Sequence, residues 1–188
     1  GIDDHGKGLR QDLFEEGVGF DGSSIRAWQP INASDMQMRP DYSTVRMDPF
    51  CTHPTASFIC NIFDPITGQP YSRDPRFIAQ KATRYVESTG IADTVFVGPE
   101  AEFFLFDEVR YDLKAHTSFF AIDSSEGAWN KGRDERPNLG YKTGFKGGYF
   151  PVQPYDTQHN IRSEMVSIRE SLGIQVDVHH QEVATAGQ

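Results

Sequence analysis

Glu100 and Glu102 stand two residues apart in the stretch Gly98-Pro-Glu-Ala-Glu-Phe-Phe104. Successive side chains of an extended strand alternate faces, so residues i and i+2 point the same way. Ala101, Phe103 and Leu105 are then expected to pack on one face, with the two carboxylates side by side on the other. Adjacent like charges repel, and a hard divalent cation such as Mg²⁺ or Mn²⁺, which prefers oxygen ligands, would relieve that repulsion. Two solvated glutamates at an exposed strand end are the alternative, and the pair alone does not separate the two readings. A second group of polar side chains lies far along the chain, in His179-His-Gln-Glu-Val-Ala-Thr-Ala-Gly-Gln188. Two neighbouring histidines suggest zinc, but the other candidate ligands are carboxylates, which favours a harder ion. Joined to Glu182, the pair makes a three-carboxylate group that is stable around divalent cations.

The elements that must position these groups follow from the patterning. Residues 1 to 19 show little periodicity and read as a loop or frayed edge. Phe20-Asp-Gly-Ser-Ser-Ile25 is turn chemistry. Ser57 to Phe63 reads as a buried strand bounded by Asp64-Pro65 and Thr67-Gly68. Asp74 and Pro75 open a helix, Ile78, Ala82, Tyr85 and Val86 form its apolar stripe, and Gly90 ends it. Strands are expected at 94–97, at Glu100/Glu102 and at 174–178, with another possible at 119–123. A second helix is expected with Asp156 as its cap, Ile161, Met165, Ile168 and Leu172 as its stripe, and Gly173 as its end. Residues 124 to 146 read as loop, a length that in a compact domain is usually functional or disordered. Lys146-Gly-Gly-Tyr149 could approach phosphates, but without a Gly-Lys-Ser/Thr signature it is not a Walker-type loop.

Composition narrows the class. The chain has 188 residues, 37% of them hydrophobic, which suits one domain or two small ones. A formal net charge of -9 argues against nucleic acid or an anionic membrane as partner. No apolar run approaches the roughly 20 residues that span a bilayer. Cys51 and Cys60 lack metal-type spacing and read as inert thiols of a cytoplasmic protein. No signal peptide is visible, and the missing initiator Met suggests processing or an internal start.

Gly98-Pro-Glu-Ala-Glu102, Asn138-Leu-Gly-Tyr-Lys142, Lys146-Gly-Gly-Tyr-Phe-Pro151 and Glu182-Val-Ala-Thr-Ala-Gly-Gln188 resemble successive blocks of the type I glutamine synthetase family. Phe20-Asp-Gly-Ser-Ser-Ile25 and Tyr71-Ser-Arg-Asp-Pro-Arg76 resemble two further blocks, in the same order along nearly the whole chain. The resemblance implies an α+β fold: a small β-grasp-like domain over 1–68, then the start of a large antiparallel-sheet catalytic domain over 69–188. It implies ATP-dependent ligation of ammonia to the side-chain carboxylate of glutamate through a γ-glutamyl phosphate. Glu102 and Glu182 correspond to ligands of the metal beside glutamate, and Glu100 to a ligand of the metal on the ATP phosphates. Tyr149 corresponds to a residue beside the ammonium site. Asp21 and Ser24 correspond to residues that a neighbouring subunit lends to that site, in a dodecamer of two hexameric rings. Asp177 and His180 fall where the family contacts the nucleotide. The family commonly has Glu at position 177 and a third His at position 181, so Asp177 and Gln181 depart from its pattern. Further family ligands and arginines would lie beyond Gln188, so this piece alone is expected to be inactive. A polyamine ligase and a non-catalytic relative are the alternatives. Asp21, Ser24 and Tyr149 argue against the first, and the intact glutamates against the second.

Overall fold

The computed structural model describes residues 11–130 and 142–184. The fold is α+β, and the chain divides into two units, Gly1–Val97 and Gly98–Gln188.

The first unit is built on a three-stranded antiparallel sheet in the order β1 (Val18–Asp21), β2 (Asp35–Pro40), β5 (Cys60–Phe63). Phe20 faces Met36 across the first pair, and Met38 faces Ile62 across the second. Met36 and Tyr71 are the buried hydrophobic side chains among the described residues. A short helix, α1 (Gln11–Glu15), precedes β1, so the loop expected over residues 1 to 19 is in part helix and strand. Residues 1–10 lie outside the described part. An aromatic cluster ties α1 to the sheet: Phe14 lies 5.7 Å from Phe58 and 6.2 Å from Tyr42, whose hydroxyl donates to the Phe14 carbonyl at 2.6 Å.

The strand expected over Ser57–Phe63 is broken. β4 (Ala56–Ser57) pairs with β3 (Arg46–Met47), and β5 starts only at Cys60. Between them Phe58 turns into the aromatic cluster, while the Ile59 amide donates to Thr44 Oγ1 at 2.9 Å. The residues of β5 are half-buried rather than buried.

Helix α2 (Pro75–Thr89) has the expected ends. The Asp74 carboxylate accepts from the Arg76 amide, and Gly90 adopts a left-handed φ of 69°. Its stripe does not form a core, because Ile78 and Tyr85 are exposed. The helix meets β5 through polar groups: Arg76 donates to Asn61 Oδ1 at 2.8 Å and Gln80 does so at 3.2 Å. Arg76 also pairs with Asp41 at 2.6 Å.

In the second unit a hairpin joins β6 (Glu108–Lys114) and β7 (Thr117–Asp123) in continuous antiparallel register. Val109 faces Ile122 and Tyr111 faces Phe120, so one face is apolar. The other carries Glu108, Arg110, Asp112 and Lys114, with ion pairs along β6 at 2.6 and 2.7 Å. Helix α3 (His159–Ser171) ends before Gly173, whose φ is 73°. Its start corrects the sequence reading. Asp156 lies two residues ahead of the N-cap Gln158, where it accepts from the Gln158 amide at 3.0 Å and pairs with the buried Arg162. Ile161 and Met165 are exposed, so this stripe also forms no core.

The segments 94–97, 98–105 and 174–178 form no ladder among the described residues. Phe104 and Phe106 nevertheless stack at 5.6 Å with rings 6° apart, as i and i+2 do on an extended backbone. Phe103 and Leu105 are half-buried, while Ala101 is exposed. The alternation is therefore present beyond Ala101, but no partner strand fixes its register.

Hydrogen bonds from Ser43 and Arg76 pull the Asp41 carboxyl from 3.8 down to about 2. A lowered pKa means that the ionised form stabilises the fold. That contribution is complete above pH 3.8 and is lost as pH falls through about 2. Asp41→Asn should therefore lower the unfolding temperature at pH 6, and the gap from wild type should close on acidification through this window. Parallel melting curves that keep a constant gap would disprove the linkage.

Candidate functional site

In the first unit, the end of β1 presents Asp21 on a loop held by its own neighbours and by residues farther along the chain. Asp21 caps the short helical turn Gly22–Ser24. Its Oδ1 accepts from the Ser23 amide at 2.9 Å and the Ser23 hydroxyl at 2.6 Å, and its Oδ2 accepts from the Ser24 hydroxyl at 2.9 Å. The Ser23 hydroxyl and amide and the Ser24 hydroxyl hold the Asp21 carboxyl below its ordinary range, although it is exposed. Gly22 is buried against the sheet, where a Cβ would come within 2.6 Å of Met36 Cγ. The chain leaving the loop passes through Ala27 at a positive φ of 68°. It is fastened by Arg73, which donates to the Ala27 carbonyl at 2.7 Å, and by the Tyr71 hydroxyl, which donates to the Trp28 carbonyl at 2.6 Å. The result is an anionic group facing solvent, suited to binding a cation.

In the second unit, two backbone hydrogen bonds align residues 148–150 with 181–183. The Gly148 amide donates to the Val183 carbonyl at 3.1 Å, and the Phe150 amide to the Gln181 carbonyl at 2.8 Å. Tyr149 is thereby set opposite Glu182. The Tyr149 ring meets the His180 ring edge-on at 5.4 Å, and His180 Nδ1 lies 3.5 Å from Glu182 Oε1. His180 and Glu182 share one face, while Gln181 between them turns inward and is 1% exposed. Behind this ladder, Arg162 Nε donates to His179 Nδ1 at 3.4 Å. Burial, with the nearby Arg162 and His159 charges, pushes the His179 pKa down, so that its ring nitrogen stays available as an acceptor. Lys146 and Phe150 bracket the Gly-Gly turn at positive φ values of 55° and 38°.

The structure thus joins Tyr149, His180 and Glu182. It does not gather Glu100, Glu102 and Glu182. Among the described residues no group of three or more His, Cys, Asp or Glu side chains could hold a metal ion. The strands expected at Glu100/Glu102 and at 174–178 form no ladder among the described residues. Glu100 and Glu102 are exposed on the stretch with Phe104 and Phe106. Asp177 is exposed and accepts from Gln175 at 3.1 Å. The donor chemistry of the three glutamates is that of hard carboxylate oxygens, which fits Mg²⁺ or Mn²⁺ rather than a thiolate-seeking metal. Residues 185–188, and all of the Asn138–Lys142 block except Lys142, lie outside the described part. No helix among the described residues is long and apolar enough to cross a membrane.

Comparison with known proteins bears on both units. The family described as glutamine synthetase, beta-Grasp domain, matches residues 5–65, and glutamine synthetase, catalytic domain, matches 72–188. The chain is 53% identical over 180 residues to a glutamine synthetase of Aquifex aeolicus, covering 96% of this chain and 38% of that protein. It is 54% identical over 178 residues to that of Vibrio cholerae, covering 94% and 38%. Among solved structures, a cryoEM Plasmodium falciparum glutamine synthetase matches with a TM-score of 0.79 at 30% identity, over 95% of this chain and 35% of that one. The chain therefore spans a little over a third of the length of these relatives.

The close approach at Gly148 gives a test. A Cβ there would lie 2.6 Å from the carbonyl oxygens of both Glu182 and Ala184. Gly148→Ala should cost about 2 kcal/mol, the scale of overpacking a tight contact. An unchanged urea midpoint would mean that the two backbones part without penalty.

Proposed function

Because the chain belongs to the glutamine synthetase family, we propose that the protein joins ammonia to the side-chain carboxylate of L-glutamate at the expense of ATP. The observation that carries the reading is the Tyr149–His180–Glu182 arrangement, inside a chain that matches the family along nearly all its length. The reaction has two steps. A glutamate carboxylate oxygen attacks the γ-phosphorus of ATP, forming the γ-glutamyl phosphate as ADP leaves. Ammonia then attacks the activated carbonyl carbon, and phosphate leaves.

Mg²⁺ or Mn²⁺ would neutralise charge developing on the transferring phosphoryl group. Glu102 and Glu182 would hold the ion beside glutamate, and Glu100 the ion on the phosphates. His180 and Asp177 would face the nucleotide. Tyr149, held opposite Glu182 by the ladder, would line the ammonium pocket.

Asp21 would bind ammonium, with Ser24 orienting it through the bond to Oδ2. Its carboxylate, exposed and held below the ordinary range by the Ser23 and Ser24 donors, offers a negative charge to the cation. Ammonium has no free lone pair, so one of its protons must pass to a base such as the Asp21 carboxylate before the nitrogen attacks the acyl phosphate carbon. A neighbouring subunit would supply this loop, in a cytoplasmic dodecamer of two hexameric rings. The boundary between the two family domains is placed near Gly68, which family matches ending at 65 and resuming at 72 support, although by compactness residues 69–97 go with the first unit.

Substrate choice is tested by phosphate release with glutamate held constant. Ammonia should support turnover far better than putrescine at equal free-base concentration. The opposite order would assign the protein to the polyamine ligases. For the shared site, Asp21→Ala should leave Mn²⁺ and ATP binding intact and slow the ammonia step by about 10²-fold, the scale of a lost acid–base group. Mixed oligomers of Asp21→Ala and Glu182→Ala subunits should regain part of the activity. If verified mixtures stay as inactive as both parents, the loop does not act across an interface.

A further inference from the structure

Glu126 is a buried carboxylate, 7% exposed, and neither the family reading nor the sequence patterning gives it a role. Its Oε1 accepts from the Thr157 amide at 2.7 Å and from the Thr157 hydroxyl. Its Oε2 accepts from Gln181 Nε2 at 2.6 Å, across 55 residues of sequence. Gln181 is the residue between His180 and Glu182, and its carbonyl takes the Phe150 amide that closes the ladder at Tyr149.

We infer that Glu126 is a positioning residue for the Tyr149–His180–Glu182 group, acting through the side chain of Gln181. The inference rests on the proposed function for what that group does, but not for the geometry. On a locally extended backbone, inward anchoring of one side chain fixes its two neighbours on the opposite face. The Gln181 side chain is that anchor, and the Glu126 carboxylate is what it is fastened to. Thr157, immediately before the first turn of α3, fixes the carboxylate in turn through two bonds to one oxygen. Rotation of the 180–182 backbone would break the Glu126–Gln181 bond in an interior where neither group finds water.

The role is one of hydrogen bonding, and this separates two substitutions. Glu126→Leu fills the space and removes the acceptor. Glu126→Gln keeps an oxygen for Thr157 and offers an NH₂ towards Gln181. A half-turn of the Gln181 amide then presents its Oε1, which has no partner among the described residues, and the link reforms.

The test uses the full-length protein that carries this chain, with Mn²⁺ alone as the binding probe and glutamate-dependent phosphate release as the second readout. Glu126→Leu should bind Mn²⁺ about 10-fold more weakly and lose about 10-fold in kcat, the scale for partners that orient a ligand. Glu126→Gln should stay close to wild type in both. Wild-type Mn²⁺ binding and kcat in folded Glu126→Leu would overturn the inference. So would a Glu126→Gln protein as impaired as Glu126→Leu, since that would assign the effect to charge. Should Glu126→Leu fail to fold, Gln181→Met keeps the Thr157 bonds and should show the same loss of Mn²⁺ affinity, and normal affinity there would also overturn it. If wild-type protein released no phosphate with glutamate and ammonia, the proposed function would fall, while the Mn²⁺ titrations would still decide the role of Glu126.

Discussion

Two amide-to-carbonyl bonds, Gly148 to Val183 and Phe150 to Gln181, carry the candidate site of the second unit. They bring Tyr149 opposite Glu182 although the residues are far apart in sequence. Everything else there adjusts to them. Gly148 has no side chain because the facing carbonyls leave no room for one. Gln181 is turned inward and so leaves His180 and Glu182 together on the accessible face. Arg162, Asp156 and His179 fill the space behind with polar contacts instead of an apolar core. Such an interior is stable only when its members find partners, because each unpaired buried polar group forfeits its hydration.

The two units solve the problem of holding a polar side chain differently. In the first, the Asp21 carboxylate is held mainly by its next neighbours Ser23 and Ser24, with a further bond from Ser34 and a floor, Met36, beneath Gly22. In the second, each functional side chain depends on residues remote in sequence. Among the described residues, the apolar side chains are not gathered into a large core in either unit. Ile78 and Tyr85 of α2, Ile161 and Met165 of α3, and Val109, Tyr111 and Phe120 of the β6–β7 hairpin are exposed, and polar contacts such as Arg76 to Asn61 and Asp41 do the joining.

What the sequence made legible follows the range of the forces involved. The ends of α2 were readable because Asp74, Pro75 and Gly90 act within a turn of themselves. Gly173 ended α3 for the same reason. The start of α3 was misplaced because Asp156, a good capping residue, is engaged by Arg162 and leaves the N-cap position to Gln158. The β6 strand went unread although Val109, Tyr111 and Leu113 alternate with charges, because the surrounding region is rich in polar residues. The alternation at Phe103 to Phe106 was readable, but alternation names a face and not a partner, and the strands expected at 94–97, at Glu100/Glu102 and at 174–178 form no ladder among the described residues. Tyr149, His180 and Glu182 were identifiable by resemblance, and the α+β architecture with its β-grasp part agrees with the family matches. The Glu126–Gln181 link joins residues 55 apart, with no motif between them to announce it.

The bonds to Asp21 from Ser23 and Ser24 span no more than three residues of sequence, and Ser34 adds one from farther along the chain. A group shaped mostly within so short a stretch has little chain entropy left to lose when it meets a ligand or another surface. Its hydroxyl donors are also small and uncharged, so the carboxylate keeps its full negative charge towards the solvent side. The loop is therefore a preformed anionic tip, and changes elsewhere in the first unit should alter where it points far more than what it is.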